Sequence, residues 1–494
     1  MSGTSEPPSE TSDVPSEPTE APDESAQTPD DSAEAQSEPT EESAETSTAP
    51  TELFGTSGVR GPVGDEVTCD LALSVGRALA SEGYDRVVVG RDARESGRAL
   101  ADAAVAGLRE CGADVVRLGE AATPTVARSV GWRDADAGLV VTASHNPPTD
   151  NGLKLWNPSG QAFDERQREA IARRVREEDY DLAAWDGFGT QTEWDGATDR
   201  HAEALARAAA PGDLSVVVDA GNGGGAVTAE ALRRLGHDVQ SLNATPDGSF
   251  PARPSEPTAE NCRGLCEFVA ATDADLGIAH DGDADRMRAV TADGEFVTGD
   301  CLLGLFAREA ANPGDKVAVP VDTSLAVADL LESQGGSVSR TRVGDVYVAE
   351  RATDSGVAFG GEPSGAWIWP EETLCPDGPL AACRLASMVS RRGPLDQLVA
   401  DVDTYPLRRG NVETDRKGEV VASVRDRVRT TYDDVSELDG VRVGTDDGWF
   451  LVRASGTEPL VRITAEARCE ARADELFETA SELVEDCLRP RRVR

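Results

Sequence analysis

The sequence has no apolar run near the roughly 18 residues of a membrane span, and its N-terminus lacks the basic and apolar regions of a signal peptide. No membrane association is expected, and a cytoplasmic location is. Nine cysteines form no CxxC pair, and Cys262 and Cys266 stand four apart with no second pair downstream. Reduced, mostly buried thiols are expected rather than disulfides or zinc. His145, His201, His237 and His280 are too dispersed for a histidine metal cluster. Lysine is nearly absent, with three (Lys154, Lys316, Lys417) against 45 arginines.

Acid is what the chain has in excess, with a formal net charge of −43 over 494 residues. The first fifty residues hold fourteen Asp or Glu, no Lys or Arg, and almost no large apolar side chains. Such a segment cannot bury enough surface to offset its chain entropy, so residues 1–51 read as a disordered acidic tail. Beyond it the charge is still −29, with 77 acidic and 48 basic residues. The acids are spread along the chain rather than concentrated, as in a halophilic protein whose dense like charge is screened by salt. Nucleic acid is not an expected partner at this charge.

After the tail, short apolar runs alternate with helical patterns. The expected strands are Arg86–Val89, Gly138–Val141, Leu214–Val218, Leu276–Ala279, Lys316–Val321 and Val357–Phe359; helical periodicity falls at Leu71-Val75-Leu79 and Ala229-Leu232-Leu235. Continuous apolar strands joined by helices indicate α/β layers with sheets covered on both faces, and ligands in such folds bind at the carboxyl ends of strands. Three similar α/β domains are expected at 52–190, 191–297 and 298–400. From 401 to 494 the pattern changes to an α+β domain. It has a strand near Tyr405–Val412, a helix Glu419–Tyr432, a hairpin at Asp446-Asp447-Gly448, a strand Leu460–Ala465 and an amphipathic final helix.

Polar loops at strand ends carry the candidate chemistry. Thr142-Ala143-Ser144-His145-Asn146-Pro147 places Ser144, expected to be exposed, where a buried strand ends; it is the candidate phosphoryl carrier, with plain turn chemistry as the alternative. Asp281, Asp283 and Asp285 alternate with Gly282 and Ala284, and such carboxylates converge on one hard cation if the loop curls, which suits Mg²⁺. An EF-hand is excluded because its sixth and twelfth positions are Arg286 and Ala292. A phosphatase with Asp281 as nucleophile and Asp283 as acid stays open, as does a solvated acidic turn.

Gly221-Asn222-Gly223-Gly224-Gly225-Ala226 fits GxGxxA, but Asn243 stands where a dinucleotide site needs an acid, so a tight turn accounts for the glycines. Glu362 and Ser364 in Gly361–Gly365 are of the right types for sugar hydroxyls. Arg453-Ala454-Ser455-Gly456-Thr457-Glu458-Pro459, with Arg462 beyond it, combines guanidinium, hydroxyl and amide donors for a phosphate, a hairpin turn being the alternative. In a chain that uses Arg almost everywhere, Lys154 suggests that a compact ammonium is required there.

These loops, in this order, together with Phe54-Gly55-Thr56-Ser57-Gly58-Val59-Arg60-Gly61, resemble the α-D-phosphohexomutases over residues 52 to 494. The resemblance implies three mixed-sheet α/β domains sandwiched by helices and a C-terminal TBP-like α+β domain around a central cleft. It implies a phosphoserine at Ser144, and Mg²⁺ held by Ser144, Asp281, Asp283 and Asp285. Arg60, Lys154, His145 and Arg286 then surround the transferring phosphoryl group, while Asp345, Glu362, Ser364, Arg453, Ser455, Gly456, Thr457 and Arg462 contact a phosphosugar. The implied activity exchanges hexose 6-phosphate and 1-phosphate through a sugar 1,6-bisphosphate, in a monomer or homodimer.

The opening segment, Val343-Gly344-Asp345 with Tyr347, and Ser455–Pro459 look most like the phosphoglucosamine mutase branch, with mannose or glucose phosphate mutases as runners-up. Two departures bear on the sugar: Ala366 stands where many members have His, and Val346 where that branch often has Arg. A silent sugar-phosphate binder is the remaining alternative.

Overall fold

The computed structural model describes residues 53–55, 58–456 and 458–489; the expected tail at 1–51, and Thr56, Ser57 and Thr457, lie outside them. The first layer is a six-stranded mixed sheet of β1 (Val59–Pro62), β2 (Arg86–Arg91), β3 (Asp114–Glu120), β4 (Ala137–Val141), β5 (Asp150–Trp156) and β6 (Gln191–Glu193), ordered β1-β5-β4-β2-β3-β6. Four helices, α1 (Cys69–Ser81), α2 (Gly97–Glu110), α3 (Thr123–Trp132) and α4 (Glu165–Glu177), cover it. The alternation of β2 shows why its run is continuously apolar: Val87 and Val89 enter the core that holds Val75 and Leu108, while Val88 faces Val126 and Val130 of α3. Strand β6, just past residue 190, pairs with β3.

After α5 (Ala197–Ala208), the second sheet is built from β7 (Ser215–Asp219), α6 (Ala226–Arg234), β8 (Asp238–Leu242), α7 (Arg263–Ala270), β9 (Leu276–His280) and β10 (Met287–Thr291), with strand order β10-β9-β7-β8. The third comprises α8 (Gly299–Ala310), β11 (Lys316–Pro320), α9 (Leu325–Ser333), β12 (Ser337–Thr341), α10 (Asp345–Ala352), β13 (Val357–Gly361) and β14 (Trp367–Ile368), ordered β12-β11-β13-β14, then α11 (Gly378–Arg392) and α12 (Leu395–Ala400). These two layers share one apolar core, in which Val218 and Ile278 join Val317, Phe359 and Leu385. A buried polar lock ties them to the first layer. Asp377, at the N-cap of α11, accepts from Arg128 of α3 at 2.7 Å and meets His201 of α5 at 3.2 Å, whose other ring nitrogen lies 2.8 Å from Thr125.

The C-terminal part is an antiparallel sheet of β15 (Leu407–Glu413), β16 (Val435–Ser436), β17 (Val441–Thr445), β18 (Gly448–Ala454) and β19 (Leu460–Ala467), ordered β15-β19-β18-β17-β16, with α13 (Lys417–Val428) and α14 (Glu470–Leu488) on one face. Helix α13 ends four residues before Tyr432, where the helix was expected to reach, because the hydroxyls of Thr430 and Thr431 turn back to the Arg427 carbonyl. The other face seats Trp449 and Leu451 on Val321. There Glu466 accepts from Trp449 Nε1 at 2.9 Å and from the Leu325 amide at 2.7 Å. All nine cysteines are free, and no helix among the described residues is long and apolar enough to cross a membrane.

Candidate active site

Ser144 lies in the connection between β4 and β5, which pair antiparallel. The expectation that it is exposed is wrong: it is 1% exposed, because the Asp281–Asp285 loop of the second layer closes over it. Its Oγ donates to Asp281 Oδ2 at 2.7 Å, and its amide donates to Thr142 Oγ1 at 2.9 Å. The backbone is left-handed at φ +52°, a conformation a non-glycine residue holds only where its surroundings enforce it. Ser255 joins the two loops, donating to the Ser144 carbonyl at 2.8 Å and accepting the Gly282 amide at 3.0 Å. Gly282 is glycine for a reason of space: a Cβ there would lie 2.9 Å from the Ser144 carbonyl oxygen. The glycine-rich run has a similar cause, since a Cβ on Gly223 would lie 2.3 Å from the Gly282 carbonyl oxygen.

The acidic loop connects β9 to its antiparallel neighbour β10, a tight reversal that turns Asp281, Asp283 and Asp285 inward. One oxygen from each carboxylate lies within 4.8 Å of the others. Asp283 also accepts from Thr123 Oγ1, at the start of α3, at 2.6 Å. Lys154 enters from β5, with Nζ 2.7 Å from Asp283 and 2.6 Å from Asp285. Burial opposes the lysine charge, but the two aspartates outweigh it and hold the ammonium above its ordinary range. Asp283 is likewise penalised by burial, yet Lys154 keeps it below the usual carboxylate range. Asp281 goes the other way, pushed well up by burial and by repulsion from Asp285 and Asp283.

Three buried acids facing one lysine, with Asp283 Oδ1 lacking any hydrogen-bond partner among the described residues, fit a hard divalent cation. Arg60 on β1 lies opposite Gly152 on β5, which brings it to the same place. His145 Nδ1 is 3.5 Å from Ser144 Oγ, and its imidazole is driven down to about 2 by burial and by Arg286, Arg60 and Lys154, so it is neutral at neutral pH.

The third layer contributes the Gly361–Gly365 loop. Glu362 accepts from the Gly344 amide at 2.7 Å and from Ser364 Oγ at 3.0 Å. Burial, then the nearby Asp345, raises its carboxyl to about 7. Ala366 is buried, and its backbone bridges to Arg286, while Met287 donates to the Gly365 carbonyl at 3.0 Å. The acidic loop and the Glu362 loop are therefore locked together through main chain, whatever side chain stands at 366.

Arg453, Ser455 and Arg462 form a separate group. Arg453 and Arg462 are paired across β18 and β19, with Arg453 held by Asp439 at 3.0 Å and Arg462 by Glu458 at 2.8 Å. Gly456 is exposed beside Ser455, and Thr457 lies outside the described residues. No hydrogen bond or ion pair among the described residues joins this group to Ser144. Ser144, His145, Lys154, Arg60, Arg286 and the three aspartates meet at one place; Glu362, Ser364 and Asp345 belong to the adjoining layer.

Several residues went unread in the sequence. Arg94 and Ser255 brace the serine loop, Thr123 the acidic loop, and Asp439 holds Arg453. Lys417 Nζ binds the Ser455 carbonyl at 2.6 Å and that of Glu458 at 3.0 Å. Only Lys417 had a signal: the lysine scarcity that singled out Lys154 applies to it equally.

Four family models match in series: phosphoglucomutase/phosphomannomutase alpha/beta/alpha domain I at residues 51–181, domain II at 198–294, domain III at 298–405, and the C-terminal domain at 409–483. A probable phosphoglucosamine mutase of Methanopyrus kandleri is 47% identical over 445 residues, covering 88% of this chain and 98% of that protein. Another probable phosphoglucosamine mutase, from Methanococcoides burtonii, is 44% identical over 440 residues, covering 88% and 100%. Among solved structures, a phosphoglucomutase/phosphomannomutase family protein of Burkholderia thailandensis superposes with TM-score 0.81 at 29% identity, covering 89% of this chain and 98% of that one. With a buried serine set against an acid triad at the meeting of three α/β layers, and all four domain models in order, the chain belongs to the phosphoglucomutase/phosphomannomutase family of phosphohexomutases.

Proposed function

We propose that the chain is a phosphoglucosamine mutase, exchanging glucosamine 6-phosphate and glucosamine 1-phosphate through a phosphoserine at Ser144. The observation that carries this reading is the 2.7 Å contact of Ser144 Oγ with Asp281 inside the buried acid triad, with Lys154, Arg60 and Arg286 around it. The free hydroxyl of the sugar phosphate attacks phospho-Ser144; as its oxygen bonds to phosphorus the Ser144 Oγ–P bond breaks, and the hydroxyl proton ends on Ser144 Oγ, leaving the 1,6-bisphosphate and free Ser144. The bisphosphate turns end for end, and Ser144 takes back the other phosphoryl group. Little covalent chemistry is asked of the protein, so its part is positioning and charge neutralisation.

Arg60, Lys154 and Arg286 balance the charge of the moving phosphoryl group. Glu362 and Ser364 orient the sugar hydroxyls, with Asp345 beside them. Arg453, Ser455, Gly456, Thr457 and Arg462 grip the phosphate that is not reacting. Asp281, Asp283, Asp285 and Ser144 would hold a magnesium ion, which supplies positive charge to the phosphoryl oxygens.

Glucosamine is assigned from the relatives named above. The test is turnover of glucosamine, mannose and glucose 6-phosphates with Mg²⁺ and trace sugar bisphosphate. Glucosamine phosphate is expected to have the highest kcat/KM; a preference for either other sugar reassigns the substrate, and no 1-phosphate from any of them overturns the reading. Free phosphate release that survives Ser144→Ala would point instead to Asp281 as a phosphatase nucleophile.

A further inference from the structure

Arg94 sits in the connection between β2 and α2, 1% exposed, outside every motif used above. A guanidinium has five N–H donors, and a buried one is costly unless they are all satisfied. Here each has an acceptor. Nη2 donates to the carbonyls of Ser144 (2.9 Å) and Asn146 (2.7 Å), Nη1 to those of Pro147 (2.5 Å) and Asp150 (2.9 Å), and Nε to Asp92 Oδ2 (3.0 Å). The face of the guanidinium rests 5.0 Å from the ring centre of Phe250, in the second layer. Four of the five donors thus go to the main chain between Ser144 and Asp150, three in the loop that carries Ser144 and the fourth at the first residue of β5. Residues 144–149 are neither helix nor strand, so the carbonyls of Ser144, Asn146 and Pro147 have no ladder to join.

The fifth donor closes a circuit. Asp92 Oδ2, which Arg94 Nε binds, also accepts from Thr142 Oγ1 at 2.6 Å, and Thr142 Oγ1 in turn accepts the Ser144 amide at 2.9 Å. Ser144 is therefore held at both its amide and its carbonyl by groups that converge on Arg94. These are the two ends of the left-handed φ/ψ pair that aims its Oγ at Asp281. A point charge such as lysine cannot reproduce this fork, since it has three donors and no fixed plane.

We propose that Arg94 is a positioning residue for phosphoryl transfer: acting through the backbone of residues 144–150, it sets the direction of Ser144 Oγ towards the Asp281–Asp285 loop. The inference rests on Ser144 being the phosphoryl carrier. Arg94 touches neither the sugar nor the transferring group, so its loss should slow transfer without weakening sugar phosphate binding.

The test uses full-length enzyme, Mg²⁺ and glucose 1,6-bisphosphate as phosphoryl donor, following by intact mass the gain of about 80 Da on the protein. Arg94→Lys is expected to lower both the labelling rate and kcat by about 100-fold, the scale of a ~1 Å misplacement, with KM for the sugar 6-phosphate within about twofold. Thr142→Val keeps the arginine and breaks the link to the Ser144 amide; it is expected to slow labelling by about tenfold, with Thr142→Ser restoring it. It also decides the matter if Arg94→Lys does not fold. Wild-type labelling rates in the folded variants, or a rise in KM that accounts for the lost activity, would overturn the proposal. Label that persists in Ser144→Ala would instead overturn the phosphoserine reading on which it rests.

Discussion

The serine–acid cluster and the Arg453 loop are both lined with arginines or lysine, but they are built in opposite ways. In the first, the side chains of Lys154, Asp283 and Asp285 are 6%, 0% and 7% exposed, and their bonds cross between two sheets. In the second, Arg453 and Asp439 are 22% and 24% exposed, Arg462 and Glu458 44% and 53%, and the pairs stay within one sheet and its loops. A buried pair is expensive to break, because removing one partner strands the other charge out of water. An exposed pair is worth little and is easily exchanged for another anion. The contrast suits the division of labour proposed above, in which one region holds reacting atoms in place and the other takes and releases a phosphate at each turn of the sugar.

The most severe break in that comparison is Ser144→Ala, expected to reduce mutase activity to background and abolish the mass gain; residual turnover would move the chemistry elsewhere. Next is Lys154→Met, expected to cost about 3–5 kcal/mol in urea unfolding because it leaves Asp283 and Asp285 buried without their cation. A loss below about 1 kcal/mol would place this cluster with the exposed pairs and erase the distinction.

Glu362 lies between the extremes. Its carboxyl is raised from 4.5 to about 7 by burial, so its folded form favours the proton. Wild-type stability relative to Glu362→Gln should be greatest below pH 4.5 and fall as pH rises through 7, by on the order of 3 kcal/mol. Parallel stability curves for the two proteins across that range would refute the assignment. The mildest effect belongs to Arg453→Gln and Arg462→Gln, each expected to raise KM for the sugar phosphate by about tenfold with kcat nearly unchanged and stability within about 0.5 kcal/mol. A fall in kcat instead would draw the grip into the chemistry.

Legibility in the sequence followed the range of the interactions. The runs at Val87–Val89, Leu276–Ala279 and Val317–Val319 read as strands because both faces of a covered sheet are apolar, and each lies in an observed strand. The Asp446-Asp447-Gly448 hairpin read equally well, since a turn is a local choice. Strand β5 was not read, although it carries Lys154, because Asp150-Asn151-Gly152 is polar like the preceding loop and Lys154 interrupts the apolar run that follows. The exposure expected of Ser144 failed for a different reason: a strand-end loop faces solvent in one domain alone, but here the next domain covers it.

By itself the sequence determined the strand–helix alternation, the alternation of aspartates along Asp281–Asp285 and the serine at a strand end, because side-chain period and turn chemistry are local. Tertiary structure alone decided that these meet: Ser144 reaches Asp281 from 137 positions away, Lys154 reaches Asp283 from 129, and Arg94 reaches the Ser144 carbonyl from 50. Such contacts depend on how sheets pack, and a buried arginine that serves four carbonyls can be recognised only once the backbone that presents them has folded around it.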